Sequence, residues 1–129
     1  MINSNVYDYV NVLDKAADAS WIRNEAISNN IANATTPGYK RQDVAFESEL
    51  EKALSSVRYS TMDDKVANLS TDRLQPRTYT DYDSFSYRLD GNNVDIETEN
   101  VILAKNQLKY EGLLKSITQE FKNLRSVIK

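Results

Sequence analysis

The sequence has no cysteine and no histidine among its 129 residues. Without cysteine the chain can form no disulfide, offers no thiolate nucleophile and has no soft-metal ligand. Without histidine it lacks the usual acid/base group at neutral pH and the commonest metal ligand. These two absences exclude most hydrolase and metalloenzyme mechanisms, and we expect no cofactor and no metal.

The remaining acid/base groups are carboxylates, and their pattern does not indicate catalysis. Asp63 and Asp64 are adjacent, and Asp81 lies close to Asp83, but nothing in the sequence around them predicts a pocket that excludes water. The stretches DYDSF and DGNNVDIE resemble fragments of a calcium loop, yet neither has the ligand spacing of an EF-hand. We therefore expect a protein that is not an enzyme and has no small-molecule substrate.

Glycine and proline are scarce, with three and two residues, and the apolar 40% of the chain includes eight tyrosines. The length suits one domain, but this composition leaves little material for a large core, and we expect the isolated chain to be only partly folded. No run approaches the ~20 apolar residues of a membrane span. Residues 1–20 lack the charged and apolar regions of a cleaved secretory signal, so we expect none.

The net charge of −3 is unevenly distributed along the chain. Residues 1–42 are neutral, residues 43–99 carry −7 and residues 100–129 carry +4. The acidic middle and the basic end either pair between neighbouring copies of the chain or form solvated surfaces. The basic end is not interleaved with exposed aromatic residues on a glycine-rich platform, so we expect no nucleic-acid partner.

Two heptad patterns, one near each end of the sequence, predict long helices. The first steps by four and three residues through Val6, Val10, Leu13, Ala17, Ser20, Asn24, Ile27 and Ile31, and the second through Leu103, Gln107, Tyr110, Leu114, Ile117, Phe121, Leu124 and Ile128. Pro37 should end the first helix by about Ala34, and Asp95 is a suitable N-cap for the second. We expect helices at residues 5–34 and 96–127, paired as an antiparallel coiled coil.

The two patterns predict which side chains meet between the helices. We expect this helix-pair seam to contain Val10, Leu13, Ile27, Ile31, Tyr110, Leu114, Ile117, Phe121 and Leu124. Each helix also carries a second apolar stripe, formed by Val12, Ala16 and Ala19 on the first and by Leu113 and Val127 on the second. One alternative is a simple helical hairpin whose whole core is the seam. In the other, the second stripes form an interface with a partner, because two helices alone cannot cover them.

The fold class predicted is mainly α, in three parts. Residues 1–42 and 95–129 form the coiled-coil domain, and residues 43–94 form an irregular middle segment with a short helix and short β-strand pieces. The helix is predicted in DVAFESELEKALSSV, with Phe46, Leu50 and Leu54 on one face. Alternation at residues 84–89 predicts a short strand that ends at an Asp90-Gly91 turn. The rest of the middle has no period, so we expect it to become ordered only on assembly.

Two stretches carry a family resemblance. The sequence SNNIANATTPGYKR followed by QDVAFESEL resembles the N-terminal signature of the bacterial flagellar rod and hook proteins. The stretch DGNNVDIETENVILAKNQLKYEGLL, near the other end, is similar to the proximal rod subunits within that family. The resemblance covers residues 5–50 and 90–129.

The resemblance implies a structural subunit of the proximal rod of the flagellar basal body. Such a subunit pairs its terminal helices, stacks helically with copies of itself and with other rod subunits, transmits torque and forms the export channel. It lies in the periplasmic rod, contacts the inner-membrane ring and rod adapter and the export gate, and is exported unfolded by the flagellar type III apparatus without a cleaved signal peptide. The subunit interface expected from the motif contains Asn29, Asn30, Ile31, Asn33, Pro37, Gly38 and Tyr39.

In that interface, the asparagine side chains are expected to cap the helix end and to donate to the backbone of a neighbouring subunit, while Pro37 and Gly38 set a fixed exit angle. The alternative function is a small helical adaptor or secretion chaperone that binds one partner helix through its exposed apolar stripe.

Overall fold

The computed structural model describes residues 5–56, 61–69, 74–82 and 88–128. The elements in chain order are α1 (Asn5–Ala32), β1 (Gln42–Ala45), α2 (Glu47–Ser55), α3 (Met62–Ala67), β2 (Arg77–Thr80) and α4 (Ile96–Ile128). The two long helices dominate the chain, which confirms the prediction of a mainly α fold with an interrupted middle.

α1 and α4 pack together over most of their lengths and run antiparallel. Asn30, near the end of α1, donates to Glu99, near the start of α4, at 3.2 Å. About two turns further along α4, Asn106 donates to the Ser20 carbonyl at 2.7 Å. Because residues late in α1 meet residues early in α4, the directions are opposite, and the predicted pairing of the terminal helices is confirmed.

The predicted ends of both helices agree with the structure. The Asp95 carboxylate accepts the backbone N–H groups of Glu97 at 3.0 Å and Thr98 at 3.4 Å, as an N-cap does. α1 ends at Ala32, two residues before the predicted limit, because Pro37 prevents its continuation.

The face of α4 that contacts α1 agrees with the predicted seam at only every second position of the heptad pattern. Ile27 is buried, while most of the other predicted seam positions are half-buried: Val10, Leu13, Ile31, Tyr110, Ile117 and Leu124. Leu114 and Phe121, however, are 42% and 50% exposed. Glu99 and Asn106 are buried instead, so polar contacts with α1 set the rotation of α4 and turn these two apolar side chains to its edge.

The second stripe of α1 is covered by the middle segment of the same chain. Its core cluster consists of Ala19, Ala26, Val44, Phe46 and Leu74, with Ala16, Ile22, Leu50 and Leu69 packed around it. The alternative in which this stripe waits for a partner therefore does not hold for α1. The described parts of the middle have a place in the fold without any neighbouring chain, which differs from the expectation that they are ordered only on assembly.

A small sheet accompanies this core. β1 pairs antiparallel with β2, with Gln42 opposite Thr80 and Ala45 opposite Arg77. The strand predicted at residues 84–89 falls mostly on residues 83–87, outside those described. The turn predicted to follow it is present: the Gly91 N–H donates to the Arg88 carbonyl at 3.2 Å, and Gly91 has a φ of +75°.

An ion pair joins three of the helices. The Arg23 guanidinium of α1 donates to both carboxylate oxygens of Glu47 at 2.9 and 2.7 Å, and Lys109 of α4 contacts the same carboxylate at the start of α2. The hydrogen bond from Arg23 lowers the pKa of Glu47 to about 2, with burial opposing the shift and Lys109 adding to it. Glu47 therefore links the long helices to the covering segment.

A pair of truncations tests the observed seam. We expect Ile27→Ala to lower the free energy of unfolding by about 2 to 5 kcal/mol, because its side chain is 1% exposed and its loss leaves a cavity. Leu114→Ala should cost less than about 1 kcal/mol, since that side chain is 42% exposed. Thermal unfolding by circular dichroism measures both. Equal losses would show that α4 is rotated as the heptad pattern alone predicts.

Acid should weaken the Glu47 contact. The pKa of this carboxyl is lowered on folding, so its contribution is present above pH 4.5, the ordinary value, and is lost as the pH falls toward about 2. Glu47→Gln should remove about 1 kcal/mol or less of this pH dependence, because half of the side chain is exposed. Urea unfolding at pH 6 and pH 3 measures it, with the exposed Glu51→Gln as a control. An identical pH dependence in wild type and Glu47→Gln would exclude this role.

Candidate assembly site at the end of the first helix

The chain leaves α1 through a turn that packs on a second turn from before α4. Pro37 stops the helix, and Gly38 reverses the backbone with a φ of +73°, which a residue with a side chain rarely adopts. The Gly38 N–H donates to the Asp90 carbonyl at 2.7 Å, and Lys40 donates to the Gly91 carbonyl. The two glycine turns that stand far apart in the sequence thus meet in the fold.

Asn30 fastens the helix end to the start of β1. Its Nδ2 donates to the Gln42 carbonyl at 2.8 Å, while its Oδ1 accepts the Gln42 N–H at 2.8 Å and the Tyr39 hydroxyl at 3.1 Å. The second amide hydrogen goes to Glu99. Asn30 is 0% exposed, so this side chain acts as an internal partner for the backbone of the strand and has no amide hydrogen left for a neighbour.

Asn33 closes the last turn of the helix locally. Its Nδ2 donates to the Asn29 carbonyl at 2.8 Å, and its Oδ1 accepts the Thr36 hydroxyl at 3.1 Å. The backbone N–H of Asn33 also donates to the Asn29 carbonyl, at 3.0 Å. These bonds cover part of the helix terminus and hold the side chain of Asn33 against its own chain.

Asn92, from a distant part of the sequence, donates to the carbonyl groups of the turn that follows α1. Its Nδ2 lies 2.8 Å from the Asn33 carbonyl, 3.1 Å from that of Ala34 and 2.9 Å from that of Thr36. Its Oδ1 accepts the Val94 N–H at 2.7 Å. Asn92 is 0% exposed, so its amide ties the turn after α1 to the segment before α4 from inside the fold.

A buried ion pair lies directly behind this joint. Arg41 Nε donates to Glu99 Oε1 at 2.6 Å, and its Nη1 lies 2.9 Å from an oxygen of Asp81. Burial lowers the pKa of Arg41, but the hydrogen bonds to Glu99 and Asp81 outweigh it, so the pKa is raised and the guanidinium stays charged. Burial and the negative charge of Glu99 raise the pKa of Tyr39. The joint is therefore held by charge as well as by neutral hydrogen bonds.

The structure divides the predicted interface residues into two groups. Asn30 lies inside the joint, and Asn33, Ile31 and Tyr39 are half-buried at its edge. Asn29, Pro37 and Gly38 are exposed, together with the two threonines before the proline. The motif thus presents a solvent-facing turn, residues 35–38, on a hydrogen-bonded base.

Three residues of this base were not singled out from the sequence: Arg41, Asn92 and Glu99. Arg41 and Asn92 stand inside the two quoted motifs, so their position there was a signal. Glu99 also stands inside the second motif, four residues after the predicted N-cap Asp95. Its partners lie 58 and 69 residues away, a separation that no local pattern shows.

The chemistry of the site is that of a rigid joint. No cluster of three or more metal-ligating side chains occurs among the residues described here. Among the described helices, none has the length and apolar content to cross a membrane.

Removing the Asn92 amide should loosen the joint. We expect Asn92→Ala to lower the free energy of unfolding by about 2 to 3 kcal/mol, because the bonds from its amide to the turn are lost and the buried Val94 N–H loses its acceptor, Oδ1 of Asn92. The exposed Asn29→Ala is the matched control and should change stability by less than about 0.5 kcal/mol. Urea unfolding followed by circular dichroism compares them. A loss for Asn92→Ala no larger than that of the control would show that the joint does not depend on this side chain.

Comparison with known proteins identifies the family. A family model described as "Flagella basal body rod protein" matches residues 11–40, which include the helix end and the turn. The flagellar basal body rod protein FlgB of Borrelia hermsii is 35% identical to this chain, with 97% of the chain and 99% of the relative covered. FlgB of Bacillus subtilis is 32% identical over 90% of this chain and 89% of the relative, and FlgB of Escherichia coli is 34% identical over 82% of each. The chain therefore belongs to the FlgB family of flagellar basal body rod proteins.

Proposed function

We propose that this chain stacks helically with copies of itself and with other rod subunits, so that the assembled rod transmits torque and encloses the export channel. Family membership makes it a structural subunit of the basal body rod. The observation that carries the finer proposal is the exposed turn at residues 35–38 on its buried base. A turn held this firmly keeps its shape when it meets a neighbouring subunit, and less conformational entropy is lost on binding.

In this assembly the exposed part of the motif contacts the next subunit. Asn29 and the Pro37-Gly38 turn form the centre of the contact, with Ile31, Asn33 and Tyr39 at its edge. Asn30 contributes indirectly, since its side chain fixes the angle between the helix and the chain that leaves it. The geometry of stacking thus depends on a joint whose bonds lie within one chain.

The partners proposed are the other rod subunits, the inner-membrane ring and rod adapter and the export gate. The place proposed is the periplasmic rod, reached by export without cleavage of a signal peptide. The antiparallel pairing of the terminal helices supports this proposal. It leaves the joint at one end of the long helix pair, where a stacked neighbour can reach it.

The contact is tested by placing a charge on the turn. In a strain lacking the chain, we expect wild type to enter purified basal bodies and to restore swimming, and Thr35→Glu to do neither. Thr35 is exposed, so the variant should fold normally. The matched control is Ser48→Glu, an exposed position on α2, which should behave as wild type.

The alternative is a small adaptor or secretion chaperone, and the same strains distinguish it. A stable complex with one export substrate, combined with absence from basal bodies, would contradict a structural role in the rod. Normal incorporation and swimming of Thr35→Glu, with wild type present in basal bodies, would contradict only the proposed contact at the turn.

A further inference from the structure

The side of the helix pair away from α2 carries an open cavity of about 310 Å³ between α1 and α4. We call it the notch; the side chains that matter are Ser20, Trp21 and Asn24 of α1 and Asn106, Tyr110 and Glu111 of α4. Arg23 and Lys109 point toward α2, and Trp21, two residues before Arg23, lies almost opposite it around the helix. The middle segment therefore covers one side of the pair, and the notch opens on the other.

Three buried polar atoms in the notch have no hydrogen-bond partner among the described residues. They are Ser20 Oγ, Asn24 Oδ1 and Asn106 Oδ1. Ser20 is 1% exposed and Asn106 is 4% exposed. The Nδ2 of Asn106 donates to the Ser20 carbonyl, which fixes the orientation of its amide and leaves Oδ1 as an unused acceptor. Each such atom costs about 1 to 3 kcal/mol, so three in one place call for a physical reason.

The chemistry of the notch suits a cation with several N–H groups. Two amide oxygens and a hydroxyl oxygen are acceptors without a donor, and Glu111 at the rim adds a negative charge. The ring centroids of Trp21 and Tyr110 lie 6.1 Å apart with the planes tilted by 47°, and Trp21 is 57% exposed, so the indole is open to a positive group. A guanidinium combines planar stacking with five donors, which a compact ammonium does not.

A strip of apolar side chains continues from the notch along the same edge of α4. Leu114 lies four residues after Tyr110, and Phe121 lies seven residues after Leu114; they are 42% and 50% exposed. An anchoring side chain in a pocket, surrounded by apolar contacts that exclude water, is the usual arrangement of an interface hot spot.

We infer that the notch receives an arginine side chain from a helix of a neighbouring rod subunit, laid along the strip of Leu114 and Phe121. The inference rests on the proposed function and names one further contact of the assembly. The three unpaired atoms then accept hydrogen bonds from the arginine in the assembly, and in the free chain they lower the free energy of unfolding.

Trp21, the single tryptophan of the chain, reports directly on the notch. We expect N-acetylarginine amide to change its fluorescence in a saturable way, with the uncharged N-acetylcitrulline amide about tenfold weaker or inactive. Asn24→Leu should abolish the response. Equal responses to both probes, or no saturable response to the arginine probe, would overturn the assignment; a stronger response to N-acetyllysine amide would overturn the choice of arginine.

Stability separates a binding role from a structural one. Ser20→Ala and Asn24→Leu remove unpaired polar atoms, so they should leave the thermal midpoint of the free chain unchanged or raised, while reducing incorporation into basal bodies. A lowered midpoint with normal incorporation of the folded protein would show that the notch is only structural.

Crosslinking in cells tests the partner. A photoreactive amino acid at Gln107, which lines the notch, should crosslink to an arginine-containing segment of a rod subunit, and the same group at Lys52 on α2 is the control. If the chain is present in basal bodies but position 107 gives no crosslink to a rod subunit, the notch inference fails and the rod function stands. If the chain is absent from basal bodies, the rod function itself fails.

Discussion

The bonding of Asn92 to the turn after α1 is the interaction on which the rest of the structure depends. α1, of 28 residues, runs into a turn in which the carbonyl groups of Asn33, Ala34 and Thr36 all accept from the amide of Asn92, in the segment just before α4. This one side chain brings the start of α4 beside the end of α1. From there the bonds of Asn30 to Glu99 and of Asn106 to the Ser20 carbonyl hold α4 antiparallel to α1.

The buried polar contacts set the register of that pairing more than its strength. An ion pair such as Arg41 with Glu99 loses much of its Coulomb energy to desolvation, so it is weak evidence for stability. Glu99 also accepts a hydrogen bond from Asn30. Asn106 must lie opposite Ser20, because at any other position it would lose its bond to that carbonyl. A shift of α4 along α1 by one heptad would leave these polar groups buried without partners. The apolar contacts between the helices therefore favour association, and the polar ones choose a single arrangement.

The helices, their pairing, the Asp95 cap and the family could be predicted from the sequence, because each follows from local periodicity or from a continuous motif. The rotation of α4 could not, since the apolar pattern favours Leu114 and Phe121 while Glu99 and Asn106 occupy the interface through partners far along the chain. Short strand pieces were predicted in the middle segment, but the positions of β1 and β2 were not, because each strand has only four residues and the two pair across the whole of α2 and α3. Of the site, the exposed turn could be predicted, but the internal role of Asn30 could not.

The two long helices are covered unequally, and this asymmetry links the fold to assembly. α1 is packed by α4 on one side and by the core of Val44, Phe46 and Leu74 on another, whereas α4 leaves Leu114 at 42% and Phe121 at 50% exposed. A free chain gains nothing from exposing these side chains or from burying unpaired oxygens beside them. Both features become favourable when a neighbour covers the same edge. The internal joint then sets the direction in which the chain is presented, and the uncovered edge of α4 supplies the surface that the neighbour needs.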